Sequence, residues 1–158
     1  MKKTLMFLLS ALFVCAAAFA QQVAPFKKGD RVAFVGNSIT DGGHYHSYIW
    51  LYYMTHFPYR EMWMANCGIG GDTSENIYNR LDGDVFSKRP NVITLTFGMN
   101  DTGYYEYNGN EPEKYGNGKV EWARNHYKDI EKRLKGLKDT RIVLIGSSPY
   151  DDTSKFNK

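Results

Sequence analysis

Four short apolar runs, separated by helix-like and polar segments, constrain the fold more than any other feature of the sequence. They are residues 31–36 (RVAFVG), 61–67 (EMWMANC), 91–97 (NVITLTF) and 141–146 (RIVLIG). Short apolar runs bounded by turn residues are typical of strands buried on both faces. Strands that alternate with helices imply crossover connections, so the sequence predicts an α/β fold with a parallel sheet covered on both sides.

The segments between the runs supply the predicted helices, a polar loop over residues 37–46 and one long loop. Residues 47–57 and 119–138 carry apolar side chains at helical spacing. A third helix is predicted to begin at Asp72, with Glu75 as its capping-box partner. Residues 98–118 are rich in Tyr, Asn and Gly, and loops of that length inside a domain are often functional.

The first 20 residues are predicted to be a secretory signal peptide rather than part of the fold. They contain a basic start, an apolar stretch too short for a comfortable membrane span, and a small-x-small cleavage motif. Cys15 raises the possibility of lipidation, but the residues before it are bulky for a lipoprotein signal. We therefore expect a secreted or periplasmic domain formed by residues 21–158, without stable membrane insertion after cleavage.

Charge and cysteine content exclude several classes of function. Loss of Lys2 and Lys3 with the signal peptide lowers the formal net charge from +3 to +1. A near-neutral domain gives no reason to expect nucleic acid as a partner. Cys67 is then the only cysteine left, so no internal disulfide can form.

Polar blocks follow three of the four predicted strands. They are residues 36–41 (GNSITD), 66–73 (NCGIGGDT) and 98–101 (GMND). In parallel α/β sheets, ligands bind at the carboxyl ends of the strands. The three blocks therefore define one candidate site.

The residue types in these blocks fit acyl transfer. That reaction needs a hydroxyl nucleophile on a tight turn and preorganised N–H donors for the oxyanion. Ser38 is the candidate nucleophile, and the N–H groups of Ser38 and Gly71 with the amide of Asn100 are candidates for the oxyanion hole. Each such donor contributes about 3 kcal/mol to transition-state stabilisation.

Every one of these residues also has a structural interpretation when taken alone. A serine after a strand is most often a turn or cap residue, and Asn100 with Asp101 is compatible with an Asx turn. The glycines near position 70 are compatible with a tight strand-to-helix turn. Three such blocks at three successive strand ends nevertheless favour a functional site.

The three blocks resemble, in order and spacing, the first three blocks of the SGNH (GDSL-type) hydrolases. The resemblance implies a three-layer flavodoxin-like fold, a serine esterase without metal or cofactor, and the roles given above for Ser38, Gly71 and Asn100. Asn37 stands where that family usually has Asp, with little expected effect. An exported, aromatic-rich member suggests a small-molecule or glycan ester, such as an acetyl ester, as substrate. Further candidates for substrate binding are Asn37, Asp41, His44, Asp72, Asp101 and Tyr104.

The sequence departs from that family after its fourth strand. The family's general base and its orienting acid lie in an Asp-x-x-His block after a fifth strand, and no such block follows residue 146 here. The resemblance therefore implies a chain that lacks its C-terminal strand and helix, is inactive or weakly active, and exposes residues 141–146 as an apolar sheet edge. His44 or His46, near Ser38 in sequence, is an alternative base.

Two other functions are compatible with the sequence. The first is a non-catalytic glycan-binding module that uses tyrosines such as Tyr104 and Tyr115 in the same crevice. The second is nucleotide binding at residues 68–71, which is weakly supported because Thr73 stands where the dinucleotide fingerprint requires a third glycine.

Overall fold

A parallel sheet of four strands forms the centre of the fold. The computed structural model describes residues 23–103, 110–146 and 153, so the signal-peptide prediction for residues 1–20 and the candidate Tyr104 lie outside the described residues. The strands are β1 (Arg31–Gly36), β2 (Trp63–Gly68), β3 (Val92–Thr96) and β4 (Arg141–Leu144). Their order in the sheet is β2-β1-β3-β4, and every pair is parallel. The predicted α/β class is confirmed.

Helical segments connect the strands. The α-helices are α1 (Ser38–Asp41), α2 (His44–His56), α3 (Ser74–Arg80) and α4 (Pro112–Lys135). A π-helical turn (Leu81–Val85) and a 3₁₀ turn (Phe86–Lys88) extend α3, and a second 3₁₀ turn (Asn100–Thr102) follows β3. In the described part of the chain, no helix is both long enough and apolar enough to cross a membrane.

The sheet is covered on both faces, which gives three layers. Because side chains alternate along a strand, Val32 and Phe34 of β1 face one side while Ala33 and Val35 face the other. The first pair packs with Met64, Val92 and residues of α2, including Tyr45, Ile49 and Tyr53. The second pair packs with Ile77 of α3, with Leu81 and Val85 just after it, and with Ile130 and Leu134 of α4.

The strands next to β1 end level with it. Gly36, the last residue of β1, lies opposite Gly68 of β2 and Thr96 of β3. The segments that follow these three residues therefore leave the sheet along a single edge. This edge carries all three polar blocks singled out in the sequence.

Two helix starts differ from the prediction, and each has a local cause. The segment predicted as a loop after β1 contains α1, because the Asn37 side chain accepts the N–H of Ile39 at 3.1 Å and caps the helix. The next helix begins at His44 instead of residue 47. Gly43, with φ of 79°, makes the sharp turn between these two helices.

The cap of α3 and the start of α4 also correct the prediction. Thr73, not Asp72, caps α3, and its capping-box partner is Asn76 instead of Glu75. Helix α4 begins at Pro112, which shortens the predicted loop, because proline is favoured in the first turn of a helix. The glycines at 116 and 118 have low helix propensity and concealed this start in the sequence.

Strand β4 lies at one edge of the sheet, as predicted. It pairs with β3 alone among the described residues. Leu144 is 69% exposed and Ile145 is 39% exposed. An apolar edge with unpaired backbone groups is a template for association with another chain.

We therefore expect the chain to self-associate and Leu144→Lys to reduce this association, because a lysine on an edge strand opposes strand pairing. The measurement is light scattering across a concentration series. Val120→Lys is the matched control, since Val120 is exposed on α4, away from the strand edge. A monomeric wild-type chain that melts cooperatively would contradict the expectation.

Burial also governs the chemistry of Cys67 on β2. Its thiol is buried and donates to the carbonyl of Asp84 at 3.5 Å. Burial raises the pKa of Cys67 above its ordinary value of 9.0, although the charges of Lys88 and Arg80 act in the opposite direction. As the pH rises, the Cys67 thiol therefore ionises in the unfolded chain before it ionises in the folded chain. Its contribution to the free energy of unfolding is fully present below pH 9 and decreases as the pH rises further.

At pH 8.5 we expect iodoacetamide to alkylate Cys67 at least about tenfold more slowly in the folded chain than in the denatured chain. Peptide mapping separates this reaction from that of Cys15. Equal rates in the two states would show that the thiol is accessible.

Candidate functional site

The three polar blocks contact one another at the carboxyl edge of the sheet. The first and second blocks are joined by hydrogen bonds from Ile69 N to Gly36 O at 3.1 Å and from Asn66 Nδ2 to Asp41 O at 3.0 Å. The second and third are joined by Asn100, whose Nδ2 donates to the carbonyl of Asp72 at 2.8 Å. The predicted grouping of these blocks at one edge agrees with this geometry.

Ser38 is the first residue of α1 and is exposed. The N–H groups at the start of a helix have no partner within the helix. The Asn37 side chain takes the N–H of Ile39, and the Asn37 carbonyl takes those of Thr40 and Asp41. Among the described residues, no acceptor takes the N–H of Ser38, and its hydroxyl has no hydrogen-bond partner.

Gly71 lies in a tight turn between β2 and α3. The N–H of Asp72 donates to the carbonyl of Ile69 at 3.3 Å, and Gly71 has φ of 84°. Positive φ at the third residue of such a turn strongly favours glycine. A Cβ added at Gly71 would meet no atom within 4 Å. The turn therefore presents the Gly71 backbone to open space, and no acceptor in the described part of the chain takes its N–H.

Gly68 allows α1 to lie directly on the end of β2. A Cβ at this position would be 2.3 Å from the backbone nitrogen of Asp41. Any side chain there would push α1, which carries Ser38, away from β2. Close backbone packing therefore sets the position of the candidate nucleophile.

Asp101 fixes the turn that carries Asn100. This residue is 3% exposed. Its Oδ1 accepts the backbone N–H of Ser74 at 2.9 Å and also the Ser74 hydroxyl. Burial, and secondarily the charge of Asp101, raises the pKa of Tyr127 on α4, whose ring stacks on Phe97 at 4.2 Å between centroids. Asp101 is thus enclosed between α3 and α4.

The side chain of Asp72 is also buried and bound to a protein group. Its Oδ2 accepts from Arg80 Nε at 2.6 Å, and the two side chains are 9% and 13% exposed. Asp72 and Asp101 were candidates for substrate binding, but both are buried and hydrogen-bonded to protein groups. Asn37, a third such candidate, is 2% exposed and caps α1. These contacts favour a structural role for all three residues.

Asp41 and His44 are the exposed candidates of that set. They have the Asp-x-x-His spacing, a match that sequence reasoning missed because it lies beside the nucleophile block instead of after the last strand. Their side chains form no ion pair or hydrogen bond with each other among the described contacts. The geometry therefore does not join them as an acid and a base, and substrate contact remains a prediction for both.

His46 is not placed as a base for Ser38. It is 8% exposed and stacks on Phe34 at 5.0 Å between ring centroids. Its Nε2 lies 3.0 Å from the carbonyl oxygen of Thr40, to which it donates. The expectation that His46 lies in an open loop is wrong, because α2 begins early and turns this ring into the core.

Sequence reasoning missed Arg80 and Ser74, which support the site from inside the protein. Arg80 is the last residue of α3, whereas Asp72 precedes the N-cap residue Thr73, so no spacing rule within a helix predicts their contact. Ser74 had no sequence signal either, because its partner Asp101 is 27 residues away.

Comparisons with known proteins agree with the fold and the blocks. The model of the GDSL-like Lipase/Acylhydrolase family matches residues 34–156, and the chain belongs to this family. A search of curated proteins gave no significant match.

Three solved structures illustrate the likeness. A gut microbial diltiazem-metabolizing enzyme is 55% identical, with a TM-score of 0.82, over 87% of this chain and 31% of that protein. A catalytic mutant of an acetylxylan esterase from Geobacillus stearothermophilus is 21% identical, with a TM-score of 0.62, over 77% of this chain and 61% of that one. An acetyl xylan esterase is 27% identical, with a TM-score of 0.54, over 72% and 56% of the two chains. The chain thus spans less than two thirds of each of these proteins.

We expect Gly68→Ala to lower the free energy of unfolding by about 1–3 kcal/mol, because the new methyl group overlaps the backbone of α1. Gly83→Ala is the control: a Cβ there meets no atom within 4 Å, so the change should be no more than about 1 kcal/mol. Urea denaturation measures both variants. Equal effects would mean that α1 does not depend on the close contact at Gly68.

Proposed function

We propose that this chain carries the nucleophile and oxyanion-binding groups of an exported serine esterase. One observation carries the proposal: the Ser38 hydroxyl and the N–H groups of Ser38 and Gly71 have no acceptor among the described residues, on the same sheet edge as the Asn100 amide. Donors held without protein acceptors suit an oxyanion hole.

In this proposal, Ser38 Oγ attacks the carbonyl carbon of an ester. The carbonyl oxygen becomes an oxyanion that accepts from the N–H groups of Ser38 and Gly71 and from Asn100 Nδ2. An amide nitrogen has two hydrogens, and Asp72 takes one of those on Asn100, so the other serves the oxyanion. Collapse of the tetrahedral intermediate releases the alcohol and leaves an acyl-serine, which water hydrolyses to the free acid.

A general base must take the proton of Ser38 for this reaction to be fast. No basic side chain hydrogen-bonds to the Ser38 hydroxyl in the described part of the chain. We therefore propose that the chain by itself is weakly active. Hydrolases stripped of one triad member retain about 10³- to 10⁴-fold catalysis over water from the oxyanion hole and binding alone.

Acetyl esters of carbohydrates are the substrate class that we propose. Two of the structural neighbours are esterases of acetylated xylan. The sequence has 12 tyrosines and 3 tryptophans, side chains whose apolar rings and polar ends suit sugar ligands. Secretion or periplasmic export, proposed from residues 1–20, would place the enzyme where polysaccharides occur.

The test is labelling of the chain with a fluorophosphonate probe and hydrolysis of 4-nitrophenyl acetate. We expect slow reaction with both, abolished in Ser38→Ala, because Ser38 is the proposed nucleophile. Asn100→Ala should lower the rate about 10²- to 10³-fold.

Ser87→Ala is the matched control, since Ser87 is an exposed serine in the 3₁₀ turn before β3, away from the site. It should leave labelling unchanged. No labelling of the wild-type chain, together with binding of xylooligosaccharides that survives Ser38→Ala, would instead establish a glycan-binding module.

A further inference from the structure

Arg80 is a largely buried cation that no step of the proposed reaction uses. It is the last residue of α3, and its side chain is 13% exposed. The family roles given to the three blocks do not include it. Its hydrogen-bond partners nevertheless include Asp72, which directly follows Gly71 in the chain.

The guanidinium joins two strand ends to the turn that follows them. Its Nη2 donates to the carbonyl of Gly36 at 3.2 Å, at the end of β1, and to that of Cys67 at 2.9 Å, near the end of β2. Its Nε donates to the carboxylate of Asp72 at 2.6 Å. One planar group thus fixes the distance between the β1 end, two residues before Ser38, and the turn that contains Gly71.

The same residue, Asp72, carries the contact to the third block. Its carboxylate is held by Arg80, and its backbone carbonyl accepts from Asn100 Nδ2 at 2.8 Å. If the Asp72 carboxylate were released, this carbonyl would lose its anchor, and the Asn100 amide would lose the acceptor that orients it. Arg80 therefore acts on Asn100 through one intervening residue.

We propose that Arg80 is a positioning residue that sets the mutual geometry of Ser38, Gly71 and Asn100 by holding Asp72 and the carbonyls of two strand ends. The inference rests on the proposed esterase function for its kinetic consequence. The geometric consequence for Asn100 does not depend on activity and is tested separately.

A purely structural ion pair is available for comparison. Arg133 of α4 pairs with Asp82, and its side chain is 28% exposed. This pair also joins an arginine to an aspartate, but neither partner contacts a polar block in the contacts that the structure describes. Arg133→Gln is therefore the matched control for Arg80→Gln.

The first measurement is hydrogen exchange of the Asn100 side-chain amide by ¹H–¹⁵N NMR on the full chain. In Arg80→Gln we expect exchange at least about tenfold faster than in wild type, because the bond to Asp72 is no longer held in place. Arg133→Gln should exchange at the wild-type rate. Unchanged exchange in a folded Arg80→Gln variant would overturn the proposal.

The second measurement is the split between kcat and KM for 4-nitrophenyl acetate. Misplaced oxyanion donors should lower kcat about 10- to 100-fold in Arg80→Gln and leave KM within about twofold. Arg80→Lys, which keeps the charge but not the fork of donors, should be intermediate. A loss of kcat in Arg133→Gln of the same size would mean that any weakened ion pair has this effect, and the proposal would fail.

The two measurements separate the two claims. Faster Asn100 exchange in a chain without Ser38-dependent turnover would retain the positioning role and reject the esterase. Ser38-dependent turnover with unchanged kcat and unchanged exchange in Arg80→Gln would retain the esterase and reject the positioning role. If Arg80→Gln does not fold, Asp72→Asn weakens the same pair while it keeps the Asp72 carbonyl, and the same outcomes apply.

Discussion

The level register of the three parallel strands β2, β1 and β3 is the constraint on which the site depends. Because Gly36 lies opposite both Gly68 and Thr96, the three segments that follow leave the sheet side by side. A shift of one strand by one residue would move each of its side chains to the opposite face of the sheet. The apolar layers on both sides of the sheet oppose such a shift, so the packing of the core also fixes the position of the functional edge.

In the loops beyond that edge, hydrogen bonds to buried polar groups, and not apolar packing, fix the backbone conformation. Loops carry few apolar contacts, and the only cysteine in the described part of the chain, Cys67, is free. The turn after β2 is instead held through the carboxylate of Asp72, and the turn after β3 through that of Asp101. Removal of one partner of such a contact leaves the other buried and unpaired, which costs about 3–5 kcal/mol for an ion pair. Each loop therefore has a strong preference for one conformation.

The sequence alone predicted the parts of this arrangement that depend on local pattern. Apolar runs identified the four strands, and the polar blocks after them identified the edge. The cap of α3 could not be predicted, because Asp72 is a good capping residue on its own, whereas in the structure its carboxylate binds Arg80 and Thr73 caps the helix. The start of α4 was missed because Gly116 and Gly118 oppose a helix locally, while packing of Ile130 and Leu134 stabilises the helix as a whole.

The same limit applies to neighbouring residues within the site. Within the first block, Asn37 and Ser38 are adjacent and similarly polar, yet one is buried as a cap and the other is exposed. In the second block, Gly71 is exposed and its neighbour Asp72 is buried. Preorganised donors need neighbours that hold them still, so a site of this kind includes inward-facing polar residues as well as outward-facing ones. A sequence pattern does not separate these two kinds of residue. Only the contacts of Asp72, Asp101 and Arg80 distinguish the buried residues that support the site from the exposed residues of the same blocks.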